Sequence, residues 1–137
     1  KNNPNSNIEF LQADALEFEL EKKYDKILLY FSFQYFDNNT LGKKVIKNLL
    51  QHAHPNAIIL IGDIPDYSKI KLYYTNFRNL LKYYLRFYLG TSNMGKFWKK
   101  EELDSICKSL GIKGTYVQQE SWQPYAKYRF DYLIRNS

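Results

Sequence analysis

Pro55-Asn56-Ala57-Ile58-Ile59-Leu60-Ile61-Gly62-Asp63 is the stretch whose reading decides the fold. Ala57 to Ile61 is apolar without interruption, shorter than an ordinary helix and lacking the alternation of a half-exposed strand. Such a run reads as a strand buried on both faces, the mark of a parallel sheet covered by helices. It ends on a carboxylate, Asp63. Asp25-Lys26-Ile27-Leu28-Leu29-Tyr30-Phe31 is a second run of this kind upstream. Between the two, Asp37-Asn38-Asn39-Thr40 offers N-cap side chains, and Leu41, Val45, Ile46, Leu49, Leu50 and Ala53 form the apolar face of a helix over Leu41–Ala53. His54-Pro55-Asn56 ends that helix, because proline disfavours a helical residue before it.

Outward from this strand–helix–strand core, the pattern continues in both directions. Lys1 to Asn7 is a polar, Asn-rich turn with no signal-peptide character. Ile8-Glu9-Phe10-Leu11-Gln12 alternates and reads as a short strand, Ala13-Asp14-Ala15 as a turn, and the acidic Leu16–Lys23 as a loop or one helical turn. Downstream, Ile70, Tyr74, Phe77, Leu81, Tyr84 and Tyr88 are spaced 4, 3, 4, 3 and 4, which predicts one long helix with this aromatic stripe turned inward and Lys71, Arg78, Lys82 and Arg86 on its flank. A helix over Lys100–Leu110 follows, with Leu103, Ile106, Cys107 and Leu110 inward and Gly111 just past its end. Lys113–Gln119 and the alternating Tyr128, Phe130, Tyr132 and Ile134 are the last two strands, and their short connection makes them an antiparallel pair. Helices alternating with apolar strands mean an α/β domain with a mainly parallel sheet, undivided over residues 1–137.

Composition narrows the setting. The chain has 137 residues, enough for one domain, and 45% hydrophobic residues, enough for a core. One cysteine, Cys107, excludes an intrachain disulfide and a cysteine-based zinc site. No apolar run reaches the roughly 18 residues of a membrane helix. A reducing, cytoplasmic setting with no membrane partner is the expectation, and the Lys/Asn/Tyr-rich composition suits an AT-rich bacterial gene. The net charge of +6 suits an acidic partner or substrate without identifying one.

In an open α/β sheet, ligands bind beyond the carboxyl ends of the strands. The segments Gln12–Ala15, Tyr30–Tyr35 and Gly62–Asp66 therefore hold the candidate chemistry, and carboxylates and aromatics there would suit an adenine ring. Leu11-Gln12-Ala13-Asp14-Ala15, Lys23-Tyr24-Asp25-Lys26-Ile27-Leu28-Leu29 and Pro55–Asp63, followed by Phe97-Trp98-Lys99-Lys100-Glu101-Glu102-Leu103 and Leu110-Gly111-Ile112, together resemble the Rossmann-like S-adenosylmethionine-dependent methyltransferases, from about Ile8 to Ile134. The resemblance begins at that family's third strand. The first two strands, the glycine-rich loop and the acidic residue that holds the ribose have no counterpart, since the first glycine is Gly42. It implies a sheet missing its first two strands and the C-terminal part of a larger enzyme, whose cofactor-loop half is supplied in cis or in trans. It also implies an Ile8–Gln12 strand without its neighbour, whose unpaired edges should favour a homodimer or aggregation.

Carried over residue by residue, the resemblance implies S-adenosylmethionine as cofactor. Asp14 would lie near the adenine amine with the Ala15 backbone beside it, and Phe31 and Ser32 along the methionine arm. Gln34, Tyr35 and Tyr67 fall on the acceptor side; with no histidine in the matched region, a proton acceptor would be Asp63, Asp66 or a residue outside this chain. Residues 67–100 resemble the insertion that covers the acceptor in small-molecule members; with eight basic residues and no acidic one, they suit an anionic or sugar-like acceptor.

Plainer readings stand beside these. Asp14 is also an ordinary turn residue, Phe31, Phe33, Tyr35 and Phe36 are also core aromatics, and Asp63 is also a solvated strand end. His52 and His54 read as charge–dipole contacts at a helix end rather than metal ligands, and Cys107 as an inert buried thiol. The charge also permits a nucleic-acid acceptor, although the Asn/Asp-Pro-Pro-Tyr/Phe motif of base-amine methyltransferases is replaced by Tyr30-Phe31-Ser32-Phe33. A non-catalytic RNA- or protein-binding module using residues 67–100 is the third reading.

Overall fold

A computed structural model describes residues 8–136; the Asn-rich opening turn lies outside the described residues. Strands β1 (Tyr24–Tyr30), β2 (Ala53–Pro65), β3 (Lys113–Gln118) and β4 (Arg129–Arg135) form one sheet in the order β1-β2-β4-β3. β1 and β2 are parallel, and β4 is antiparallel to both β2 and β3. Three strands thus run one way and only the C-terminal strand opposes them, as the sequence implies. Helices α1 (Asn39–Gln51) and α4 (Lys100–Ser109) connect the strands, and the short helix α2 (Ile70–Tyr73) and α3 (Phe77–Tyr88) lie in the excursion after β2.

One face of the sheet carries the core. The cross-strand rows Ile27–Ile59–Ile134 and Leu29–Ile61–Tyr132 face Val45, Ile46 and Leu49 of α1 and Leu103, Ile106 and Cys107 of α4. Trp98 closes the cluster, fully buried, with its indole N–H donating to the Phe33 carbonyl at 3.2 Å. Gly42 permits this: a Cβ there would stand 2.7 Å from the Trp98 ring. α1 starts where Asn38 accepts the Leu41 N–H at 3.0 Å.

The opposite face is more open, above all along β1. Leu28, Leu60 and Leu133 sit side by side across three strands, and Leu28 is 63% exposed. This corrects the expectation that β1 is buried on both faces: the apolar run is real, but nothing among the described residues covers its second side.

Other expectations are also corrected. Ile8–Gln12 makes no strand, and Ile8, Phe10 and Leu11 are exposed. A strand gains its hydrogen bonds from a neighbour, and none is present for it among the described residues. Leu16–Lys23 contains a turn but no helix. His54-Pro55-Asn56 stops α1 slightly early and is already part of β2, with Asn56 at φ 67°.

The long helix from Ile70 to Tyr88 is broken. Asn76 accepts the Arg78 N–H at 2.8 Å and starts α3 afresh, a cap that competes with helix continuation. The inward residue of α3 is Tyr83, whose hydroxyl donates to the Gly95 carbonyl at 3.1 Å. The expected stripe of Phe77, Leu81, Tyr84 and Tyr88 faces water instead. The residues packed on the small second cluster are Tyr74, Leu80 and Phe87, around Ile70, Tyr83 and Phe97.

His52 is a buried residue engaged at both ring nitrogens. Its Nδ1 lies 2.9 Å from the Asn48 carbonyl, and its Nε2 lies 3.1 Å from the Leu20 N–H.

Candidate functional site

β1 and β2 end at the same edge of the sheet, where the antiparallel β4 begins and β3 finishes. Four chain segments therefore deliver side chains to one place. β2 contains a bulge there: Ile61 pairs with Tyr132, but Ile64 pairs with Phe130, so one extra residue is inserted. The insertion puts Asp63 at φ 64°, and at the end of β1 Phe31 stands at φ 57°. Such backbone costs an L-residue about 1–3 kcal/mol and persists only where surroundings enforce it.

The surroundings of Asp63 are polar and closed. Its backbone N–H donates to Asp131 Oδ1 at 2.8 Å. Gln119 Nε2 donates to Asp131 Oδ1 at 2.8 Å and to Asp63 Oδ1 at 3.2 Å. Arg129 Nη1 lies 3.2 Å from Asp63 Oδ2 and donates to the Asp63 carbonyl. Both side chains are about 3% exposed. Burial is the largest influence on the Asp63 carboxyl and pushes it above the usual carboxylate range; the Gln119 hydrogen bond and Arg129 pull it back in part, while Asp131 pushes it further up. The Arg129 guanidinium sits 4.6 Å from the Phe31 ring centroid and 5.5 Å from that of Tyr125. Arg129 Nε, Asp63 Oδ2, Gln119 Oε1 and Gln34 Oε1 are buried without a hydrogen-bond partner. A buried ion pair with unpartnered atoms is costly to assemble.

Of the residues singled out from sequence, Phe31 and Asp63 meet here. Ser32 begins the turn that buries Gln34 and leaves Tyr35 exposed. Asp66 is occupied: its Oδ1 accepts from the Ser68 N–H and hydroxyl, at 2.9 and 2.6 Å, and its Oδ2 lies 3.6 Å from Lys69 Nζ. Tyr67 lines a cavity of about 390 Å³ with Asp66, Lys69, Lys99 and Tyr116, and Lys99 Nζ stands 4.8 Å from its ring centroid. Asp14 and Ala15 lie apart from the cluster's hydrogen bonds, against α1: Asp14 Oδ1 accepts the Leu16 N–H at 2.9 Å, and Asn48 donates to the Ala15 carbonyl at 3.1 Å.

Arg129, Gln119 and Asp131 were not legible beforehand. Alternation in the last strand assigns Arg129 and Asp131 to solvent, yet Arg129 is buried. The available signal was the pair of opposite charges two residues apart at the sheet edge that the strand ends share.

Comparison with known proteins places the architecture. No family model matches the chain, and no curated protein matches it. Solved structures do. An O-methyltransferase family protein from Burkholderia thailandensis superposes with a TM-score of 0.61 at 16% identity, over 93% of this chain and 35% of that one. An S-adenosylmethionine-dependent methyltransferase from Clostridium acetobutylicum gives 0.62 at 14%, over 90% and 62%. The N-methyltransferase NodS from Bradyrhizobium japonicum, in complex with S-adenosyl-L-homocysteine, gives 0.56 at 14%, over 90% and 52%. The chain thus spans between about a third and three-fifths of the length of these structures. Its partial sheet, with three parallel strands and one opposed, has the Rossmann-like fold of the S-adenosylmethionine-dependent methyltransferases.

Proposed function

We propose that this chain is the acceptor-side part of an S-adenosylmethionine-dependent methyltransferase acting on a small molecule. The observation that carries the reading is the buried Asp63–Arg129–Gln119 cluster with Phe31 at the ligand-binding edge of a methyltransferase-like sheet. Asp14 is exposed, with one oxygen engaged by its own turn, and suits the adenine amine, with Ala15 beside it. Phe31 offers a half-exposed ring and Ser32 a hydroxyl for the methionine arm. These residues fit one side of the cofactor. No glycine-rich cradle exists among the described residues for the other side, so the methionine and ribose need a second polypeptide surface.

When bound, the cofactor supplies an electrophilic methyl carbon. The chain's own residues align and enclose the acceptor. Gln34, Tyr35 and Tyr67 belong to that side, and Lys69 and Lys99 around the Tyr67 cavity suit an anionic or sugar-like acceptor. Asp63, whose carboxyl burial pushes above the usual carboxylate range, is the carboxylate we assign as proton acceptor in its ionised form. Asp66 is committed to Ser68 and Lys69 and serves as a cap.

The complementary half would carry the glycine-rich loop and two strands, in cis or in trans. Three features support it: the free edge of β1 among the described residues, the exposed Leu28 beside the half-buried Leu60 and Leu133, and a hollow of about 650 Å³ lined by Leu11, Phe18, Leu20 and Tyr24. The test is calorimetric titration of S-adenosylhomocysteine into the longest product of the gene, with and without Asp14→Ala. Loss of one charge-assisted hydrogen bond should weaken binding about tenfold. Unchanged affinity removes the adenine assignment, and no binding at all removes the methyltransferase reading.

A further inference from the structure

α3 enters the fold along a narrow arc and leaves the rest of its apolar surface in water. At about 100° per residue, Phe87 and Leu80 stand within roughly 60° of the buried Tyr83. Tyr84, Phe77, Tyr88, Leu81 and Leu85 continue the same apolar surface from roughly 100° to 200°. None of these five is buried; Phe77 is 76% exposed and Tyr88 is 89% exposed. Leu89, the residue after the helix, adds to the patch. Arg78, Lys82 and Arg86 then occupy the arc from roughly 220° to 300°, and none of them has an ion-pair partner among the described residues. No acidic residue occurs anywhere from Tyr67 to Lys100.

We propose that this outer face of α3 is a docking surface for an anionic lipid bilayer, on which the helix lies in the plane of the interface. The two halves of the exposed surface ask for different things. Large side chains such as Phe77, Leu81 and Leu85 ask for an apolar medium, and the adjoining cations ask for negative charge along the same edge. An anionic membrane surface supplies both at once, with apolar side chains sinking below the headgroups while lysine and arginine stay among the phosphates. Phe77 at the start of the helix and Tyr88 at its end place aromatic rings at both ends of the contact, where such rings favour the boundary between headgroup and hydrocarbon. Twelve residues make a contact about 18 Å long, too short to span a bilayer and sufficient to lie on one. No helix of the described residues is long and apolar enough to cross a membrane. α3 lies within the 67–100 segment that the resemblance sets over the acceptor, but the inference uses none of the side chains assigned individually to cofactor or acceptor.

Vesicle co-sedimentation of the full chain tests it, with phosphatidylglycerol mixed into phosphatidylcholine against phosphatidylcholine alone. The chain should sediment with the mixed vesicles and bind pure phosphatidylcholine at least tenfold more weakly, and high salt should release it. Leu81→Gln combined with Leu85→Gln changes two exposed positions that circular dichroism can confirm leave the fold intact, and should weaken binding to the mixed vesicles about tenfold or more. Arg78→Gln with Arg86→Gln should abolish the preference for phosphatidylglycerol. No binding to either vesicle near physiological salt overturns the proposal, as does binding that the double leucine variant leaves unchanged. If sedimentation velocity shows instead that the leucine variant turns a dimer into a monomer with no change toward lipid, the face belongs to a second copy of the chain and the proposal fails.

Discussion

Two glycines report the difference between the faces of this sheet. A Cβ on Gly42 would stand 2.7 Å from the ring of Trp98, and one on Gly62 would stand 2.5 Å from the ring of Tyr30. The clashes are alike on paper, but the neighbours are not. Trp98 is fully buried between α1, the Phe33 turn and β2, with its indole N–H committed. Tyr30 lies on the uncovered face, more than half exposed, and can swing away. Close packing, and not proximity, makes a contact expensive to disturb. The covered face behaves as a finished core, and the other mixes Leu28, Leu60 and Leu133 with Lys26, Tyr30 and Arg135 and packs less tightly along β1.

The largest effect that separates the faces should come from Trp98→Ala. It empties a fully buried site and should lower unfolding free energy by about 4 kcal/mol, measured by urea denaturation. A loss below about 1 kcal/mol would mean that the cluster around Trp98 is loose. Next comes the glycine pair itself. Gly42→Ala should cost about 1–3 kcal/mol through overpacking, while Gly62→Ala should stay within about 0.5 kcal/mol. Equal costs would show that the second face is also closed, by a layer the described residues do not contain. The smallest change in stability belongs to Leu28→Ser, within about 0.5 kcal/mol, because most of that side chain is already in water. Its visible effect should be less self-association at high concentration in sedimentation equilibrium, as an exposed leucine beside an open strand edge is sticky.

Asp63 gives the comparison a pH axis, because it lies where both faces meet the site edge. Its carboxyl holds a proton more firmly in the folded chain than in the unfolded one, chiefly through burial. Its contribution to stability is therefore fullest below the unfolded carboxylate value, about 3.9, and declines as pH rises through the raised folded value. Asp63→Asn should remove that decline, so variant and wild type should differ most in the slope of unfolding free energy against pH above about 4. Identical slopes would show that Arg129 fully compensates the buried charge.

Much of the architecture was legible because it is local. The apolar runs at Ile27–Leu29 and Ala57–Ile61, the Asn38 cap, the Leu103–Cys107 face and the alternation of Phe130, Tyr132 and Ile134 each declare an element within a few residues. The elements that failed are those whose formation depends on distant partners. Ile8–Gln12 alternates as a strand does, but a strand without a neighbour has no ladder to join. The stripe from Ile70 to Tyr88 has helical spacing, yet periodicity states which residues are apolar without stating which apolar arc the fold selects. Tyr83 won that choice through its hydroxyl's bond to Gly95, and Asn76 divided the helix.

The site divides in the same way. Phe31 and Asp63 could be named beforehand, since strand ends in an open α/β sheet converge on one edge. Arg129, Gln119 and Asp131 could not, because they lie 56 to 68 residues from Asp63 and reach it only through antiparallel pairing of β4 and the bulge in β2. The sequence by itself determined the order of elements from β1 onward apart from the break between α2 and α3, the resemblance to methyltransferases and the basic, aromatic character of residues 67–100. Only the tertiary structure decided which face of the sheet is covered, which side of α3 meets water and which cation closes over Asp63. Propensity and periodicity act between neighbours along the chain, whereas burial and ion pairing are set by whatever the folded chain brings alongside.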